Sequence, residues 1–213
     1  MASPSLAARA LFALHHRAIH VPRVERVTRA LAAQIGRAGS LLDVGCGDGT
    51  VAQGIGAAIG AEAGRVEGVD ILVRPATAIP VTPYDGEHLP FADGAFEAVV
   101  ISDVLHHCEH PAIVLREALR VASRVVAIKD HFRFDRASGA ILLAMDQIGN
   151  AAPGVLVRGT YFTAGEFATL VDDAGGRITG LEWPLRIHDL PWRLITQDRL
   201  QFAAKIQHAG TSS

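Results

Sequence analysis

The chain has 213 residues, 49% of them apolar and 20% charged, with 20 Lys and Arg set against 22 Asp and Glu. Such a composition suits one globular domain with a substantial core, and the balanced, scattered charge excludes the basic footprint that nucleic acid requires. Two cysteines, Cys46 and Cys108, cannot form a disulfide framework, so the expected setting is reducing and cytoplasmic.

At the start, the apolar run Ala10 to Leu14 is cut off by His15, His16 and Arg17. It is too short for a secretory core or a membrane span, and stable membrane insertion is not expected. Residues 5–36 carry Leu6, Leu11, Leu14, Ile19, Val24, Val27, Leu31 and Ile35 at helical spacing, with Pro22 between the halves. This predicts two helices ahead of the first strand, the second stopped by Gly36 and Gly39.

From there strand, turn and helix alternate, which predicts a parallel sheet with helices on both faces. Strands are expected at 41–44, 66–70, 79–82, 97–102 and 124–129, and helices at 50–60 and 111–121. The connection from Asp70 to Ile79, with Pro75 and then Pro80, is too short for a crossover helix and predicts a bare loop or a single turn. An apolar helix follows over 137–148, then a loop through Pro153. Thr163 with Glu166 reads as a capping box for a helix over 164–174, before two last strands at 177–183 and 199–207.

Four blocks carry candidate chemistry. Leu41-Leu42-Asp43-Val44-Gly45-Cys46-Gly47-Asp48-Gly49-Thr50 is a strand that runs into a glycine-rich turn and then a helix. Such turns hold the polar end of a ligand with main-chain amides. Asp70 ends the second strand about twenty residues on, where an acid accepts from a ribose diol. Asp85-Gly86, after the third strand, could receive an adenine amino group, with Ile71 and Leu89 packed on the ring. Ser102-Asp103-Val104-Leu105-His106-His107 ends the fourth strand beside the first, at the switch point of the sheet.

In order and spacing these blocks resemble the class I S-adenosylmethionine-dependent methyltransferases. Asp-Val-Gly-Cys-Gly-Asp-Gly, Leu89-Pro90-Phe91 and Asp103-Val104-Leu105-His106-His107 are similar to the subgroup containing ubiquinone and menaquinone C-methyltransferase relatives. The resemblance covers about residues 40–130. It implies a Rossmann-like α/β fold, with a seven-stranded, mostly parallel sheet, an antiparallel last strand and an N-terminal helical extension. It also implies one domain over 1–213, with helices at 5–36, a cofactor-binding half at 40–130 and an acceptor-side half at 131–213. S-adenosyl-L-methionine would lie against Asp43, Gly45, Cys46, Gly47, Asp70, Ile71, Asp85, Gly86, Ser102 and Asp103. Thr50 stands where a dinucleotide fingerprint needs its third glycine, which disfavours a nicotinamide cofactor.

Methyl transfer rests chiefly on alignment, with a general base where the acceptor must lose a proton. Candidate bases are Asp103, His106, His107, Asp130 and His131; His131 is the first to test because it directly follows an apolar strand. The expected acceptor is a small molecule reacting at oxygen or carbon, lipophilic or aromatic if Ala140–Met145, Leu156 and Phe162 line the site. The expected assembly is a monomer or a homodimer. A cofactor-binding but non-catalytic or regulatory protein is the alternative. The resemblance assigns no metal, although Cys46, Cys108 and the neighbouring histidines also admit a zinc reading.

Overall fold

The computed structural model describes residues 21–150, 158–188 and 198–210. Helix α1 (Val21–Ile35) leads into β1 (Leu41–Val44), α2 (Thr50–Ile59), β2 (Val66–Asp70), β3 (Val81–Pro83) and β4 (Phe96–Ser102). Then come α3 (Pro111–Val121), β5 (Ala122–His131), α4 (Arg136–Asn150), α5 (Ala164–Asp173), β6 (Gly176–Glu182) and β7 (Gln201–His208). Single 3₁₀ turns stand at Leu105–His107 and Asp198–Leu200.

The strands form a seven-stranded sheet in the order β3-β2-β1-β4-β5-β7-β6. β1 to β5 pair in parallel, while β7 runs antiparallel to both β5 and β6. The expected Rossmann-like sheet with an antiparallel last strand is therefore present. Because β1 to β5 share one direction, their C-terminal ends form a single edge. Chain order reverses between β1 and β4 at that edge, and this opens the crevice.

Side chains alternate across a strand, and here both faces are covered. Leu41, Ala98, Val100, Val125 and Ala127 pack with Leu31 and Ile35 of α1 and Ile55 and Ile59 of α2. Leu42, Val44, Val99, Ile101, Val126 and Ile128 pack on the other face with Leu115 and Leu119 of α3 and Phe167 and Val171 of α5. The continuous apolar runs are thus strands buried on both faces.

Local expectations largely match. The capping box of α5 is complete, with Thr163 accepting from the Glu166 amide and Glu166 accepting from the Thr163 amide. The first of the two expected N-terminal helices, the loop through Pro153, Leu156 and Asp189–Trp192 lie outside the described residues.

Two boundaries move for tertiary reasons. β3 starts at Val81 rather than Ile79, because Ile79 is buried against Gly49 beneath the glycine turn. The last strand starts at Gln201, because Asp198 turns inward to hold buried His188, accepting from its amide at 3.0 Å and pairing with Nδ1 at 2.6 Å. His188 is thereby held as a buried residue. Phe162 sits in the main core, so it does not line the acceptor side.

Candidate functional site

The glycine turn is built by main-chain bonds to β2. The Gly45 and Cys46 amides donate to the Val69 carbonyl at 2.8 and 3.1 Å, and the Gly49 amide closes back on the Cys46 carbonyl at 2.9 Å. Gly45 has φ +74, and a Cβ there would press into the Val104 side chain. Only glycine satisfies both demands. The bare loop that replaces a crossover helix is tied to the same turn, with the Ala78 amide on the Asp48 carbonyl at 2.8 Å and Gln53 Nε2 on the Ala78 carbonyl at 3.1 Å.

Asp70 completes this edge. Its Oδ2 accepts from the Gly47 amide at 2.8 Å and its Oδ1 from the Leu72 amide at 2.9 Å. A carboxylate has about four lone-pair directions, so two hydroxyls can still be received. Ile71 is 68% exposed beside it, with its Cγ2 facing Gly86. Asp85 organises its own loop, accepting from the Glu87 and His88 amides at 2.8 and 2.7 Å and pairing with His88 Nδ1 at 2.9 Å. Those bonds pull its carboxyl down to about 2. The loop is clamped from α3, where Arg120 donates to the Leu89 and Phe91 carbonyls and Glu117 accepts from the Leu89 amide.

Asp43 lies under the turn with only 3% of its surface exposed. Burial, and then the negative charge of Asp70, push its carboxyl up to about 7. The folded state therefore holds a proton on Asp43 that the unfolded chain releases near pH 4. Stability contributed at this position is intact at acid pH and falls as pH rises from about 4 to about 7; the full loss is at most about 4 kcal/mol. Asp43→Asn removes that slope. The difference in unfolding midpoint between variant and wild type, followed in urea, is expected to grow in the variant's favour from pH 4 to pH 8. Equal midpoints at both ends would refute the shift.

Beyond β4 and β5 the site becomes a dense polar cluster. Asp103 takes the left-handed φ of +58 and its amide donates to the Lys129 carbonyl at 2.8 Å. Its carboxylate pairs with the fully buried Lys129 and, at 3.0 Å, with Arg23 from α1. Burial alone would raise this carboxyl, yet Lys129, His131 and Arg23 outweigh that and hold it well below the carboxylate range. Ser102 ends β4 next to it, paired in register with Lys129.

The histidines differ sharply from one another. His106 is buried and its Nδ1 lies 2.6 Å from Asp130 Oδ1. Desolvation opposes its charge, but the Asp130 carboxylate prevails and lifts it to about 10. His131 Nδ1 lies 3.5 Å from Asp103 Oδ1 and 3.5 Å from Asp130 Oδ1. Its side chain keeps 17% exposure, and burial together with the Lys129 charge lowers its pKa. His107 is lowered as well, by burial and by His106. Asp130 is fully buried and accepts from the His131 amide at 2.8 Å.

The structure thus gathers all five candidate bases and adds four residues that the sequence reading left out: Arg23, Lys129, Asp146 and Tyr161. Asp146 approaches His106 Nε2 and His107 Nε2 at 3.6 Å each, and Tyr161 donates its hydroxyl to Asp146 at 3.1 Å. One signal was visible, since Asp146 is the lone acid in the apolar run from Ile141 to Ile148. The cysteines stay out of the cluster, contrary to the zinc reading that joined them to the histidines. Cys46 Sγ packs over Gly68 and Cys108 Sγ donates to the Val104 carbonyl at 3.4 Å. Burial pushes both thiols up to about 12, so neither supplies a thiolate.

Residues 42–125 match a family described as a methyltransferase domain. No curated protein sequence matches the chain. Among solved structures, a chain of the Haloferax volcanii complex of the Trm112 methyltransferase activator superposes with a TM-score of 0.67 at 13% identity, covering 96% of this chain and 97% of that one. An S-adenosylmethionine-dependent methyltransferase from Mesorhizobium loti gives 0.61 at 18% identity, covering 85% and 95%. Magnesium protoporphyrin IX methyltransferase from Synechocystis PCC 6803, with bound SAH, gives 0.56 at 15% identity, covering 98% and 90%. At such identities the likeness speaks for the fold, and the domain match speaks for the chemistry of the β1–β5 half. Over residues 42–125 the chain is therefore similar to a methyltransferase domain, a likeness that goes with S-adenosylmethionine as cofactor.

Proposed function

We propose that the methyl acceptor is a small molecule reacting at oxygen or carbon, and that His131 takes its proton. When bound, S-adenosylmethionine supplies an electrophilic methyl group. The residues fit it. Gly45 and Gly47 present bare main chain at positive φ, Asp70 retains acceptor capacity beyond its two amide bonds, and Asp43 lies beneath. On this reading the main chain at Gly45, Cys46 and Gly47 receives the polar end of the methionine portion. Asp70 receives the ribose, and Ile71, Asp85 and Gly86 border the adenine. Ser102 and Asp103 stand at the reacting end.

One observation carries the base assignment. Of the five candidates, His131 and His107 combine partial exposure with a lowered pKa, and His131 is preferred because its Nδ1 faces Asp103 and Asp130 while the Nε2 of His107 already faces Asp146. His106 is held as a cation by Asp130, and Asp103 is neutralised by Lys129 and Arg23. With His131 Nδ1 between two carboxylates, Nε2 is the atom left to accept a proton, and the carboxylates stabilise the imidazolium that forms. Three residues past His131, Phe134 is half exposed and packs against half-exposed Trp183 with ring centroids 5.6 Å apart. This aromatic pair supports a lipophilic or aromatic acceptor.

The direct test is label transfer. Protein incubated with methyl-labelled S-adenosylmethionine and fractionated extract is expected to pass label to a small, organic-extractable product. Label found only on macromolecules, or none transferred despite cofactor binding, would overturn the reading in favour of another acceptor class or a non-catalytic protein.

A further inference from the structure

The geometry points to a site for one divalent transition-metal ion, of the zinc class, held by His106 Nε2, His107 Nε2 and the Asp146 carboxylate. The three donor groups come from a 3₁₀ turn after β4 and from α4, and their candidate ligand atoms all lie within 4.8 Å of one another. Both imidazole nitrogens stand 3.6 Å from an Asp146 oxygen. Two donors bound at about 2.0–2.1 Å to one tetrahedral ion sit about 3.4 Å apart, so small side-chain adjustments close the site. Two histidines and one carboxylate, with remaining positions open, is a known arrangement for zinc and for ferrous iron.

The surrounding shell is what an ion site requires. Metal-binding imidazoles commonly donate their second N–H to a carboxylate, which fixes the tautomer and leaves the other nitrogen free for the ion. His106 does this with buried Asp130 at 2.6 Å, and an ion binding at Nε2 would displace the proton that this nitrogen otherwise carries. The alternative group of His106, Asp130 and His131 would use the nitrogen already engaged in that bond, so the Asp146 group is preferred. Tyr161 stacks on His106 at a 5.1 Å centroid distance and orients Asp146 through its hydroxyl.

The site's role in catalysis rests on the methyl-transfer reading; its existence does not. An acceptor hydroxyl bound at an open position would become more acidic. Its proton would pass to His131, whose ring lies 5.5 Å from that of His106.

The test uses Co(II) as a spectroscopic probe on chelator-treated, full-length protein, with Zn(II) as competitor. One Co(II) per chain with a visible ligand-field band that zinc abolishes is expected. His107→Gln and Asp146→Asn should each weaken binding at least 100-fold, and Asp130→Asn by about 10–100-fold. His88→Ala, on an exposed loop outside the cluster, should bind as wild type. Absence of stoichiometric cobalt in the wild type overturns the proposal, as does unchanged affinity in His107→Gln. Circular dichroism checks each fold; should a buried variant misfold, the wild-type stoichiometry and the half-buried His107→Gln still decide. Cobalt binding without label transfer would leave the site standing and remove the acceptor reading, whereas label transfer without cobalt binding would do the reverse.

Discussion

Replacing Asp70 by alanine is expected to weaken S-adenosylmethionine binding by about 10²-fold or more. Two effects combine. The ligand loses two hydrogen bonds to a charged acceptor, each worth about 1.5–3 kcal/mol. The turn also loses its brace, because the same carboxylate accepts from the Gly47 and Leu72 amides. Asp70→Asn separates them. It keeps one carbonyl oxygen for an amide of the turn but offers an NH2 group where a hydroxyl must donate, so an intermediate loss of about tenfold is expected. Titration calorimetry reads both values, and thermal melting checks that the fold survives. An unchanged dissociation constant for Asp70→Ala would place the cofactor elsewhere than the C-terminal edge of β1 and β2.

The second large effect is expected at His131. His131→Gln preserves polarity and approximate shape but cannot take a proton, so turnover should fall by about 10²–10⁴-fold while cofactor affinity stays within about twofold. The pH profile sharpens the test. A general base works only when neutral, so wild-type turnover should be lost as pH falls through the His131 pKa. Burial and Lys129 set that value below the usual 6.5, and the acid limb should lie correspondingly low. In His131→Gln the limb should vanish from the residual rate. Full turnover in the variant would remove His131 from the mechanism. A lost limb with intact turnover at high pH would reassign it to orienting the acceptor.

The ionic frame around these residues explains why a weak base suffices at this position. Lys129 is buried beneath Asp103, and Arg23 reaches Asp103 from the other side. Burial, and then the Lys129 charge, keep His131 neutral, while the Asp103 and Asp130 carboxylates stand 3.5 Å from its Nδ1. Asp130 is committed to His106 and to the main chain of His131. Fixed dipoles and charges of this kind need no rearrangement when charge develops in the reaction.

How much of this could be read beforehand depended on how local the cause was. β1 over Leu41–Val44, β2 over Val66–Asp70 and α3 over Pro111–Val121 fall where their patterns placed them, because apolar alternation, Pro111 at a helix start and the glycine stops act within a few residues. Where tertiary contact overrode the pattern, boundaries moved. Ile79 was drawn under the glycine turn, and Asp198 was drawn into a pair with His188. The histidine cluster was legible only in part. His106, His107, Asp130 and His131 follow strand ends directly, whereas Asp146 and Tyr161 arrive from α4 and the stretch before α5.

By itself, then, the sequence determined the α/β sheet and the glycine turn at the end of its first strand. Strand alternation and positive-φ turns are decided by neighbours along the chain. The tertiary structure alone decided which histidine stays neutral, which is held as a cation, and which acid meets them. Those properties depend on burial and on charges brought within a few ångströms from residues far apart in sequence, such as Arg23 and Asp103, or His106 and Asp146. No local pattern encodes those distances.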